Sequence, residues 1–304
     1  MSLVWKGVMP AVTTKFTQND ELDLDMFQTN IKAQLDAGVE GIILGGTLGE
    51  ASTLSPKEKS ILVKETVILA NGSVPTIINI AEQTTKGAID TAHIAEKDGA
   101  QGLMLLPPMR YKADSRETIT YFSEIAKNTS LPIMLYNNPI DYGIEITLDM
   151  LDELTPHNNI QAVKESTRDI SNVTRIRNRF GSRYSILTGV DTLGMESLLM
   201  GADGWVAGLV CAFPRETVAI YKLIKANRIE EALKIYRWFL PLLELDVSTK
   251  LVQNIKLAEV HTGIGTENVR APRLPLAGKE RERVLAIIEE GLRTRPTLPN
   301  YKSI

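Results

Sequence analysis

Residues 200–205 read MGADGW, a pattern that ends a helix and begins a buried strand within a few positions. The first glycine is typical of the residue that follows a helix, where a left-handed backbone is needed, and the second glycine precedes an apolar run. The same pattern occurs as AGVEGI at residues 37–42 and as DGAQGL at residues 98–103. A helix-to-strand junction used three times predicts a chain in which helices and strands alternate.

Eight short apolar runs extend this alternation along the chain. Such runs, bounded by turn residues, are typical of strands buried on both faces. They occupy residues 8–12, 41–44, 75–80, 102–106, 132–136, 160–163, 184–187 and 204–206. Amphipathic windows follow them at residues 25–37, 55–70, 85–98, 115–128, 147–154, 169–180, 192–200 and 215–226. Eight βα units with right-handed crossovers close into a ring, so we predict an α/β fold, a (β/α)₈ TIM barrel.

The C-terminal residues depart from this alternation. Helical periodicity continues over residues 229–240, 249–261 and 279–293 without further strands, and Pro241, Pro272 and Pro275 predict the turns between them. We therefore predict a barrel over residues 1–226 and a helical extension packed on it over residues 227–304.

Composition and charge argue against several classes of function. The chain has 34 basic and 37 acidic residues and a net charge of −3, which gives little attraction for nucleic acid or an anionic membrane. Neither is predicted as a partner, and no apolar run is long enough to cross a bilayer. The single cysteine, Cys211, cannot form an internal disulfide. Together with a start that lacks signal-peptide character, this predicts a cytoplasmic location.

Residues capable of chemistry follow three of the predicted strands, at the end of a barrel where active sites lie. They are GGTLGE at residues 45–50, YNNP at residues 136–139 and VKES at residues 163–166. Alternation along the sixth strand places Lys164 on the same face as Ala162. If that face is the barrel interior, desolvation favours the neutral amine that attacks a carbonyl or imine carbon. A solvated lysine paired with Glu165 is the alternative, and position alone favours it.

The other two motifs also allow two interpretations each. Backbone N–H groups near Gly46 and the Thr47 hydroxyl can bind a small carboxylate, but the same residues suit an ordinary βα turn. Tyr136 can relay a proton, or can be an amphipathic residue with a satisfied hydroxyl. The spacing of the three histidines does not match a metal site, so no metal is predicted.

Taken together and in this order, the three motifs resemble those of the dihydrodipicolinate synthase and N-acetylneuraminate lyase family of class I aldolases. The resemblance covers essentially the whole chain. It implies that Lys164 forms a Schiff base with a 2-oxo acid, that Tyr136 relays protons, and that Thr47 and Leu48 bind the substrate carboxylate. It further implies a small 2-oxo or 2-imino acid as the substrate, no cofactor, and a homotetramer assembled from two dimers.

Three positions depart from the synthase pattern. Leu48 stands where synthases usually have a second hydroxyl residue, and Asp141 stands where an arginine usually holds the carboxylate of the second substrate. Asp141 would repel that carboxylate. A tyrosine from the partner subunit is usual after the fourth strand. Here Tyr111 is the approximate match, and it is predicted to bind substrate, with a reach into the neighbouring site left open.

The second half of the chain resembles the deaminase branch of this family, which acts on 1-pyrroline-4-hydroxy-2-carboxylate. The matching segments are residues 188–191, 204–210, 212–217, 245–249 and 252–257. Gly46 of the loop after the second strand, with Gly189 and Val206 of these segments, completes the predicted substrate-binding residues. The resemblance implies a deamination that yields 2,5-dioxopentanoate and ammonia. One alternative is dihydrodipicolinate synthase, or another pyruvate-dependent aldolase or lyase. Another is a catalytically silent barrel that binds 2-oxo acids.

Overall fold

The computed structural model describes residues 3–108 and 111–304, and its parallel strands form the predicted barrel. The strands are β1 (Gly7–Pro10), β2 (Ile42–Leu44), β3 (Thr76–Ile80), β4 (Gly102–Leu105), β5 (Ile133–Asn137), β6 (Ile160–Glu165), β7 (Ser185–Thr188) and β8 (Gly204–Ala207). Their order is β1-β8-β7-β6-β5-β4-β3-β2. A parallel bridge between Ala11 and Ile43 joins the two ends of this order and closes the barrel.

Helices follow the strands and form the outer layer of the barrel. They are α1 (Leu24–Ala37), α2 (Pro56–Ala70), α3 (Thr85–Lys97), α4 (Ser115–Lys127), α5 (Pro139–Tyr142), α6 (Leu148–Leu154), α7 (Ser171–Phe180), α8 (Gly194–Leu199) and α9 (Pro214–Lys225). The three predicted junction glycines have φ values of 91° at Gly38, 96° at Gly99 and 103° at Gly201, which confirms their left-handed conformation. The short helix α5 was not predicted.

The C-terminal extension consists of α10 (Ile229–Leu243), α11 (Leu251–His261) and α12 (Gly278–Arg293). The prediction of a turn at Pro241 is wrong, because α10 continues through this residue. A proline near the end of a helix removes one backbone hydrogen bond, and here the next two residues, Leu242 and Leu243, are buried in the core. The division of the chain between residues 226 and 227 stays a prediction. No helix of the described residues is long and apolar enough to cross a membrane.

The barrel interior holds a small apolar layer of its own. Met9, Ile77, Met134 and Leu187 belong to this layer, which is separate from the larger core between strands and helices. Side chains of parallel barrel strands alternate between these two cores. The inner layer therefore supports the inward-facing residues at the C-terminal ends of the strands.

Candidate active site

Lys164 and Tyr136 lie side by side at the C-terminal end of this inner apolar layer. Their Cα atoms are register partners between β5 and β6. The lysine amine lies 3.8 Å from the centroid of the Tyr136 ring. Lys164 is 6 % exposed, so the alternative of a solvated lysine does not apply. Glu165 points elsewhere, where it accepts hydrogen bonds from Asn172 and from the backbone of Thr167.

The amine of Lys164 forms no ion pair or hydrogen bond with any described residue. Burial lowers the pKa of Lys164, because the charged amine loses its hydration there. Tyr142 and the carboxylates of Asp246 and Asp191 act in the opposite direction but do not offset burial. A larger share of the lysine is therefore the neutral nucleophile than in a solvated side chain.

The Tyr136 hydroxyl stays protonated, and the side-chain amide of Asn138 links it to Asp141. Burial raises the pKa of Tyr136 to about 12. The Asn138 side-chain nitrogen donates to the Tyr136 hydroxyl over 3.2 Å and to the Asp141 carboxylate over 2.7 Å. Asn138 also caps α5, whose first residue is Pro139, a combination that favours a helix start. This short helix brings the exposed Asp141 to the rim of the pocket.

The loop after β2 lines the opposite side of the pocket through Gly46, Thr47 and Leu48. Leu48 is buried, whereas the Thr47 hydroxyl is hydrogen-bonded to the phenol of Tyr142. The Tyr142 ring packs edge-on against Tyr136, with centroids 5.4 Å apart. Sequence reasoning missed Tyr142, although Asn138 and the proline after it were the available signal for the helix that carries it.

Gly189 and Val206 complete the predicted set. A Cβ atom on Gly189 would lie 2.5 Å from Cε and 2.8 Å from Cγ of Lys164, so glycine leaves room for the lysine stem. Val206 is buried and lines the pocket. Eight of the nine predicted residues therefore line one pocket. Tyr111 does not line it in its own chain; it is 56 % exposed on a separate recess. A role at a neighbouring subunit stays a prediction.

Two acidic residues of this pocket region were not predicted. Asp191 is buried and accepts hydrogen bonds from the Trp205 indole and from the backbone N–H groups of Gly208 and Leu209, over 2.8–3.2 Å. Asp246 lies on the helical turn Glu244–Val247, after α10, and lines the pocket itself. Both residues lie in segments that resemble the deaminase branch, residues 188–191 and 245–249, but the resemblance predicts no role for either. The described residues contain no cluster of three or more side chains suited to a metal ion.

Comparisons with known proteins agree with this fold. The family model described as the dihydrodipicolinate synthetase family matches residues 4–291. The 4-hydroxy-tetrahydrodipicolinate synthase of Exiguobacterium sibiricum is 30 % identical over 301 residues, which is 99 % of each chain. The structure of the synthase of that name from Methylacidiphilum fumariolicum SolV has a TM-score of 0.90 at 28 % identity, over 95 % of this chain and 97 % of the other. A monomeric dihydrodipicolinate synthase variant gives a TM-score of 0.88 at 25 % identity, over 94 % and 96 %.

Proposed function

The chain belongs to the dihydrodipicolinate synthetase family of lysine Schiff-base lyases, and we propose that it deaminates 1-pyrroline-4-hydroxy-2-carboxylate to 2,5-dioxopentanoate and ammonia. The observation that supports this proposal is the acidity of the pocket. Asp141 and Asp246 both line it, and in the loop across from Lys164 the residue after Thr47 is Leu48 and not a second hydroxyl residue. A substrate with a single carboxylate, whose other end becomes an amine when the ring opens, suits such a pocket better than two anionic substrates do.

In this mechanism the substrate carboxylate binds the loop at Thr47 and Leu48. The neutral amine of Lys164 attacks C2 of the cyclic imine, and the C2–N bond to the ring nitrogen breaks, which leaves a lysine-bound ketiminium and a free amine on C5. Loss of a C3 proton, assisted by Tyr136, gives an enamine that expels the C4 hydroxyl. Unsaturation then moves toward the C5 nitrogen, and water releases ammonia and finally the oxo acid from Lys164.

The second candidate is 4-hydroxy-tetrahydrodipicolinate synthase, which condenses pyruvate with aspartate semialdehyde. The names of the relatives favour it. So does Arg168, an exposed side chain at the pocket mouth, since a guanidinium can hold a second carboxylate. Both candidates use the same lysine, so trapping with pyruvate and borohydride does not separate them.

The deciding experiment offers both reactions to the same enzyme preparation. Ammonia and 2,5-dioxopentanoate are measured from the hydroxypyrroline, and condensation is measured with pyruvate and aspartate semialdehyde. We expect efficient ammonia release and weak condensation. The reverse result would replace the deaminase with the synthase. Failure of pyruvate and of the hydroxypyrroline to become attached to Lys164 would instead favour the silent barrel.

The homotetramer and the cytoplasmic location stay predictions. A monomeric variant is among the similar structures, so the fold alone does not decide the number of subunits. Sedimentation of the purified protein across a range of concentrations measures the assembly directly, and a stable tetramer is the expected result.

A further inference from the structure

One carboxyl group in the pocket has no partner in the chain. Asp246 is held in place by its neighbours in sequence, because Leu245 is buried and its carbonyl accepts a 3.0 Å hydrogen bond from Asn254. The Asp246 side chain packs against Gly208, where a Cβ atom would overlap the carboxyl group. No described residue donates a hydrogen bond to this carboxyl group or forms an ion pair with it. It lines the same pocket as Lys164.

We propose that Asp246 is the acid that protonates the departing C4 hydroxyl group, an assignment that rests on the proposed deaminase function. A hydroxide ion is a poor leaving group, and enzymes usually position a general acid that protonates the departing oxygen. The phenol of Tyr136 already interacts with Asn138 and lies against the lysine amine. Asp246, on the turn after α10, is the unpaired acid of the pocket that is available to protonate the C4 hydroxyl group.

The surroundings of Asp246 favour its protonated form. Its charged neighbours are Asp191, Lys164 and Asp141. Three different N–H donors stabilise the charged form of Asp191, whereas Asp246 has none. Burial and the nearby charge of Asp191 raise the pKa of Asp246 well above its usual value. Burial raises the pKa of Asp191 as well, but its three N–H donors act against that shift, so of the two carboxyl groups Asp246 is the one whose protonated form is more strongly favoured.

The step balances without any further reactant. The lone pair of the Lys164 nitrogen re-forms the bond to C2, the C2–C3 double-bond pair moves to C3–C4, and the C4–O bond breaks. The leaving oxygen takes the proton of Asp246 and departs as water, which leaves Asp246 as a carboxylate. The proton that C5 loses when unsaturation moves toward nitrogen returns to Asp246 and restores the acid.

The test is Asp246→Asn, which keeps the size of the side chain but removes the proton. We expect ammonia release from the hydroxypyrroline to fall by about 10²-fold or more. Attachment of pyruvate to Lys164 should stay within about twofold, because that step does not need this acid. Borohydride added during turnover should trap an adduct that still carries the hydroxyl group, and mass spectrometry distinguishes it from a dehydrated adduct by one water.

Two further variants keep the test decisive. Glu244→Gln removes a carboxylate from the exposed side of the same turn and should leave every measurement unchanged. Asp246→Glu keeps an acid and should recover part of the ammonia release lost in Asp246→Asn. The proposal is overturned if Asp246→Asn traps a dehydrated adduct, keeps normal ammonia release, or loses pyruvate attachment as well. A wild-type enzyme that releases no ammonia would refute the deaminase function instead, before any variant is measured.

Discussion

Three lysines are buried among the described residues, and one of them, Lys15, is paired with Glu259 over 3.0 Å. The other two, Lys164 and Lys256, have opposite surroundings. Each amine lies over an aromatic ring, 3.8 Å from the centroid of Tyr136 for Lys164 and 4.7 Å from that of Phe16 for Lys256. Lys256, on α11, is paired with Glu50 over 2.5 Å and also donates to a backbone carbonyl over 2.6 Å. Lys164 has neither kind of partner among the described residues. The amine that is left unpaired is the one available for chemistry.

The paired lysine has a structural role close to the site. Glu50 directly follows the loop that carries Thr47 and Leu48, and its second carboxylate oxygen accepts a hydrogen bond from the backbone of Arg270 over 3.1 Å. The pair therefore fastens the predicted carboxylate-binding loop to the C-terminal extension. Burial lowers the pKa of Lys256 to about 8, while the charge of Glu50 acts against this shift.

Removing the unpaired amine should have the largest effect on activity. We expect Lys164→Ala to abolish turnover and pyruvate attachment, because no other group in the pocket can form the Schiff base. Lys164→Arg should be equally inactive, since a guanidinium stays protonated. Steady-state rates and borohydride trapping measure the loss, with circular dichroism as the control for folding. Residual trapping on either variant would assign the nucleophile elsewhere.

Replacing the ring beneath Lys164 makes its surroundings similar to those of Lys256. Tyr136→Phe keeps the aromatic face but removes the hydroxyl, as in Phe16. We expect pyruvate attachment to persist and turnover to fall by about 10²–10⁴-fold, the usual contribution of a positioned acid or base. Phe16 offers the matched comparison, because Phe16→Tyr adds a hydroxyl beside a lysine that does no chemistry. Normal turnover of Tyr136→Phe would reduce Tyr136 to a packing role.

The two lysines should respond with opposite signs when each is replaced by methionine. Lys256→Met leaves the buried Glu50 with the more distant Arg273, 3.7 Å away, as its charged partner, and we expect it to lower the free energy of unfolding by about 3 kcal/mol. Lys164→Met leaves no carboxylate unpaired and removes an amine that is costly to bury, so the free energy of unfolding should stay equal or rise. Urea denaturation of both variants measures the difference. A large destabilisation by Lys164→Met would reveal a partner for its amine.

The smallest expected effect is the pH dependence of that stability difference. The pKa of Lys164 is lower in the folded than in the unfolded chain, so the unfolded chain binds more protons between the two values. The stability cost of the amine is therefore fully present below the folded pKa and disappears as pH rises toward about 10.4. The advantage of Lys164→Met over wild type should shrink between neutral and alkaline pH. A constant advantage would mean that packing, and not charge, is its source.

The sequence predicted the features that depend on local pattern. It missed the residues that reach the site only through contacts between distant segments of the chain. Alternation along one strand put Lys164 on the face of Ala162, but the family resemblance was needed to choose the barrel interior over a solvated position. The junction glycines were enough to mark where strands begin. Tyr142 lies on a helix of only four residues, too short to show a helical period. Asp246 follows a long helix, and nothing local indicates that its turn folds over the barrel mouth. Lys256 meets a carboxylate 206 positions away, a separation at which sequence pattern carries no signal.

Mapping the Schiff base in the wild-type enzyme tests the contrast between the two lysines most directly. The protein is incubated with pyruvate, reduced with borohydride, digested and analysed by peptide mass spectrometry. We expect the adduct on Lys164 alone, with Lys256 and Lys15 unmodified although they are at least as deeply buried. An adduct on either paired lysine, or on none of the three, would contradict the claim that the unpaired buried amine is the nucleophile.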